Sequence, residues 1–139
     1  MPDSFKPLLI LAGRLLLAAM FVLAGFRKLT HLEGTANYIA AGGLPAPGLL
    51  AVLVGVLELF GGLALAVGFK ARWAALALGI FTLVASLLFH RFWAVAADQQ
   101  MAQYLMFMKN MAVAGGMFIV AAWGAGPLSI DERGESKPR

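Results

Sequence analysis

The stretch Ala46–Phe69, APGLLAVLVGVLELFGGLALAVGF, carries a single charged residue, Glu58, about halfway along it. A helix needs roughly 20 apolar residues to cross the hydrocarbon of a bilayer, so the stretch reads as a membrane span. A carboxyl at that depth costs roughly 2.5–3.5 kcal/mol on insertion scales and faces a partner or a functional cavity. Two further polar interruptions stand out: Arg14 within an earlier apolar run, and Lys109–Asn110 within a later one.

Working outward, runs of similar length occur at Leu8–Phe26, Trp73–His90 and Leu105–Trp123. With 61% hydrophobic and 13% charged residues in 139, the chain is too apolar for an ordinary soluble domain. The expected fold is all-α and integral to the membrane. It is a four-transmembrane-helix bundle forming one domain over residues 1–139, with a polar, loosely ordered tail over 127–139. The first run resembles a secretion signal, but Arg14 in its core and Arg27–Lys28 just beyond it identify a retained helix.

The chain has no cysteine, so disulfides and cysteine-held iron–sulfur clusters are not expected. Its two histidines, His31 and His90, both fall near one membrane face, a poor arrangement for haem. No metal site is assigned, and any redox cofactor is expected to be mobile or to belong to a partner. Basic residues set the orientation. Lys6, Lys70, Arg72, Arg133, Lys137 and Arg139 fall on one side, against Arg27, Lys28 and Arg91 on the other. The bias favours both termini in the cytoplasm. The net charge of +4 suits anionic lipid and gives no reason to invoke nucleic acid.

In the first connection, Thr30-His31-Leu32-Glu33 has the spacing of a capping box, and Gly42, Gly43 and Pro45 close the segment. A short interfacial helix is predicted between them. Lys70-Ala71-Arg72 allows only a tight hairpin. Asp98 is a candidate cap for an extension of the fourth helix ahead of Leu105. Small residues spaced four apart, among them Ala51/Gly55 and Ala75/Gly79, predict close helix packing. By helical rise, Glu58 lies near the midplane and Lys109 about one turn inside the outer helix end. A polar axis is expected to run from Arg14 and Glu58 through Lys109 and Asn110 to His90 and Lys28. In its structural form, Glu58 pairs with Arg14 or Lys109 and fixes which helix faces meet.

The order of these features resembles the DoxX family: Arg14, then Ala24-Gly-Phe-Arg-Lys-Leu29, Glu58-Leu-Phe-Gly-Gly62, Phe89-His90, Phe107-Met-Lys-Asn110 and Gly124-Ala-Gly-Pro-Leu-Ser-Ile-Asp131. The likeness runs from about Leu8 to Asp131 and is greatest to the small bacterial inner-membrane branch. It implies a four-helix bundle in the inner membrane. It also implies kinship with DoxD-type subunits of thiosulfate:quinone oxidoreductases and with relatives linked to oxidative stress. The family features map to Arg14, Lys28, Glu58, His90, Lys109 and Asn110.

The expected function is a membrane component of a quinone-linked redox or detoxification system. It would bind a quinone or a soluble or membrane redox partner, as a monomer or homo-oligomer. Arg14, Lys28, Glu58, Lys109 and Asn110 are the candidate ligand-binding residues, with Glu58 and His90 handling protons. The alternatives are a non-enzymatic scaffold or assembly subunit and, third, a small-solute or proton transporter.

Overall fold

The computed structural model describes residues 3–135. After a short 3-10 turn at Asp3–Phe5, six α-helices follow: α1 Lys6–Thr30, α2 Leu32–Ala41, α3 Pro47–Val67, α4 Ala71–Phe89, α5 Ala97–Trp123 and α6 Ile130–Glu135. Among the described residues, four helical segments are long and apolar enough to cross a membrane, and they contain α1, α3, α4 and α5. Most of their surface is apolar and turned outward, with Leu16 76% and Trp123 84% exposed. That inversion of the soluble pattern is what lipid as solvent selects, because backbone polar groups are satisfied within each helix.

Packing is densest between α1 and α3 and between α4 and α5, with α3 joining the two pairs. The α1–α3 seam follows one stripe on each helix. On α1 the buried residues are Arg14, Ala18, Phe21 and Gly25, and on α3 they are Ala51, Gly55, Glu58, Gly62 and Leu65. Steps of three and four keep each set on one helical face. Glycine lets the two backbones approach: a Cβ added to Gly25 would lie 2.3 Å from the Leu59 nitrogen, and one on Gly62 2.9 Å from the Val22 nitrogen.

Two helices are longer than the apolar runs alone predict. α1 continues through Arg27 and Lys28 to Thr30. α5 begins at Ala97, two turns before Leu105. Asp98 sits in its first turn, but the residue at the cap is Ala96, without a side-chain cap bond. The predicted capping box does not form. Thr30 remains the last residue of α1, and its hydroxyl donates back to the carbonyls of Phe26 and Arg27 at 2.9 and 3.1 Å. Only His31 separates α1 from α2, so the threonine is not free to serve a second helix. A helix does occupy the first connection, as α2, where it packs on α3.

The segment after α5 is a structural element rather than a loose tail. Gly68 ends α3 in the left-handed conformation at φ +70°, and a Cβ there would press within 2.4 Å of the Ser129 side chain. Asp131 bridges the α3–α4 turn. Its carboxylate accepts from the Lys70 and Ala71 amides at 2.7 and 2.9 Å, and its own amide donates to Gly68 O at 2.9 Å. One residue thus satisfies the Gly68 carbonyl beyond α3 and the free amides at the start of α4, whose N-cap Lys70 makes no side-chain cap bond. Residues 136–139 of the predicted tail, with Lys137 and Arg139, lie outside the described residues. An Asp131→Ala chain is expected to lose about 1 kcal/mol of stability, read as a lower unfolding midpoint in mixed micelles, while Asp131→Asn retains most of it.

Candidate functional site

Glu58 stands twelfth of the 21 residues of α3, about 15 Å from either end by helical rise. Its small neighbours on the buried stripe, Gly55 and Gly62, leave room beside it. Leu29 takes the space at Gly55, Val22 and Phe21 take that at Gly62, and this close approach of α1 brings Lys28 to the carboxyl. Its Nζ donates to Glu58 Oε2 at 2.5 Å, and the two side chains are 32% and 7% exposed. The expected partners of Glu58 were Arg14 or Lys109, and the structure replaces both with Lys28. Helical geometry explains the change. Lys28 continues the stripe Arg14, Ala18, Phe21, Gly25 by one further step of three, because α1 persists beyond Phe26.

Arg14 lies on the same stripe but 14 residues earlier, about 21 Å along the axis. It is 2% exposed. Its guanidinium donates to Ala125 O at 2.5 Å and Leu128 O at 2.9 Å, which holds the segment after α5 against the bundle. The predicted polar axis therefore breaks in two: Arg14 clamps the chain at one end, and the other groups gather toward the opposite end.

That gathering is a cavity of about 270 Å³ whose walls include Lys28, Glu58, His90, Lys109 and Asn110. Phe21, Tyr38, Phe81 and Phe89 supply its aromatic surface. Every helix from α1 to α5 contributes. The Tyr38 and Phe89 rings stack at 5.1 Å and 22°, joining α2 to the end of α4 over the site. His90 terminates α4, and its Nδ1 lies 2.9 Å from Gln103 Oε1 on α5. Lys109 contacts Met106 Sδ at 3.6 Å. Lys109 lies about one turn past Leu105, where the apolar run of α5 begins, and the helix continues for two polar turns ahead of that run.

Gln103 and Tyr38 escape a reading of the sequence, and Phe89 enters it only as part of the Phe89-His90 motif. Gln103 lies seven residues before Asn110, hence on the same helical face, and that spacing was the available signal. Tyr38 carries no such mark, since only the fold of α2 over α3 brings it to the cavity. Among the described residues, no group of three His, Cys, Asp or Glu side chains is placed to hold a metal ion.

A bundle of four apolar helices with a lipid-like exterior and a polar cavity between them defines a multi-pass integral membrane protein. The chain belongs to the DoxX family, whose model matches residues 9–91, from α1 to just beyond His90. Relatives extend the likeness through α5. The inner membrane protein YqjF of Escherichia coli is 40% identical over 88% of this chain and 88% of its own length. The inner membrane protein YphA of the same organism is 30% identical over 92% and 91%. The yeast ER-derived vesicles protein ERV29 is 25% identical over 94% of this chain, which spans 35% of that protein. No solved structure matches.

Proposed function

We propose that this protein is the membrane component of a quinone-linked redox or detoxification system in the bacterial inner membrane, with both termini cytoplasmic and α2 lying at the outer interface. The observation that carries this reading is the convergence of Lys28, Glu58, His90, Lys109 and Asn110 on one cavity with aromatic walls. Its volume, about 270 Å³, is near the lower limit of small-molecule sites and suits one substituted ring, with any tail left among the lipids. Apolar walls with a few oriented polar groups are the usual form of such a site.

In this reading Lys109 and Asn110 hold a ring carbonyl. Glu58 and His90 relay the two protons that accompany two-electron reduction of a quinone. Lys28 keeps Glu58 in place, and a soluble or membrane partner supplies the electrons. Arg14 takes no part in binding. The names of the Escherichia coli relatives support the membrane assigned and say nothing of chemistry.

The test is titration of the full chain, in phosphatidylcholine nanodiscs, with a short-tailed ubiquinone followed by calorimetry. Saturable binding is expected, about tenfold weaker in Asn110→Leu, the size of effect that one lost hydrogen bond produces. Absence of saturable binding sinks the reading and moves the protein to the scaffold class. Glu58→Gln that keeps full quinone-dependent turnover in its native membrane removes the proton role alone.

A further inference from the structure

The charge of the cavity says more about its occupant than the quinone reading does, and the inference drawn from it rests on that reading. We propose that the ligand is held as an oxyanion, the ionised hydroxyl of a quinone-like ring, seated on Lys109 and admitted through a basic vestibule beside Arg27.

Glu58 is the only acidic residue among those lining the site, and Lys28 already occupies it at 2.5 Å. Lys109 is then a second cation with no acid left to match it. It stands about one turn inside the apolar run of α5 that begins at Leu105. The partner the structure gives it is the sulfur of Met106 at 3.6 Å, a weak acceptor. Ionisable groups within a spanning segment are stabilised by pairing or by a polar cavity. Lys109 opens onto the cavity but lacks an oxygen acceptor, and a ligand oxyanion would supply one. An ammonium and an oxyanion attract each other as two full charges, an attraction that a neutral carbonyl lacks, so the site favours the ionised ring over its neutral analogue.

A second cavity, of about 430 Å³, lies between α1 and α2. It shares Ala24, Lys28, Thr35 and Tyr38 with the first, and adds Arg27 and His31. No acidic side chain lines it. The two cavities therefore meet along a common wall, and the outer one is cationic. Clefts of one sign concentrate and steer ligands of the other. A neutral quinone has no use for such a vestibule, whereas an anion entering an apolar bundle gains from it at the point where it leaves water.

The experiment compares two ring probes of nearly equal size on the full chain in phosphatidylcholine nanodiscs: lawsone, whose hydroxyl is ionised at neutral pH, and menadione, which carries a methyl group instead. The expected result is lawsone binding about tenfold tighter. Lys109→Met abolishes the preference and Lys109→Arg retains it, while Arg27→Gln slows association of lawsone more than that of menadione. Equal binding of the two probes overturns the oxyanion inference and leaves the quinone reading standing. A preference that survives Lys109→Met also overturns it, because the seat is then elsewhere. If neither probe binds, the quinone reading and this inference fail together.

Discussion

Gly25→Val is expected to remove about 3 kcal/mol or more of stability, the upper part of the range for overpacking a tight interior. The contact explains the size. A Cβ at Gly25 would lie 2.3 Å from the Leu59 nitrogen and 2.8 Å from the Gly55 carbonyl oxygen. These are backbone atoms of α3, so no side-chain rotation relieves the clash and the two helices must part. The Lys28–Glu58 pair sits within a turn of that contact, so separation also pulls the carboxylate from its cation. The matched control is Gly13→Val, on the same helix with nothing within 4 Å of its added Cβ, which should change stability by less than about 0.5 kcal/mol. Both are read as unfolding free energies in mixed micelles. Equal values for the two chains would show that α1 and α3 do not meet this closely.

The second large effect is an asymmetry within the ion pair. Lys28→Met leaves the Glu58 carboxylate, on a side chain 7% exposed, without a cation, and breaking such a pair from one side costs about 3 kcal/mol. Glu58→Met leaves Lys28 instead. Its side chain is 32% exposed, and its long stem can turn the ammonium toward the vestibule, so the loss is expected to be less than half as large. The double variant Lys28→Met/Glu58→Met should return to within about 1 kcal/mol of the parent, since well-packed apolar replacements of buried pairs are often neutral. Chemical unfolding of the three chains reads this directly. A Lys28→Met chain as stable as the parent would mean that another group neutralises Glu58. A double variant no better than Lys28→Met would mean that the pair contributes through packing rather than charge.

Much of this arrangement is legible before folding. The stripe Ala51, Gly55, Glu58, Gly62, Leu65 can be read from α3 alone, and it places the carboxyl on the face that small residues mark for close approach. Lys109 and Asn110 are recognisable as polar residues out of place in an apolar run, and His90 and Lys28 as polar groups at run ends. Their common cavity is not, because it depends on how the α1–α3 and α4–α5 pairs are set against each other. The extension of α5 ahead of Leu105 is legible from Asp98, but the length of α1 is misjudged for a related reason. Hydropathy marks where a helix enters lipid, whereas the helix itself continues through polar residues such as Arg27, Lys28 and Gln103 wherever backbone hydrogen bonding and neighbouring helices support it.

Arg14 marks the limit of sequence reading most clearly. By position it belongs with Glu58, two opposite charges in adjacent spans. Its actual partners, the carbonyls of Ala125 and Leu128, are more than a hundred residues away and have no side-chain signature. Asp131 likewise caps a helix 60 residues distant. What the sequence by itself determined is the solvent and the architecture: four apolar stretches of bilayer length, whose hydrophobic transfer energies sum locally and need no knowledge of neighbours. Only the tertiary structure decided which charge meets which. An ion pair or a cap is a contact of a few ångströms, set by helix rotation and mutual placement, and neither quantity is written in any one segment.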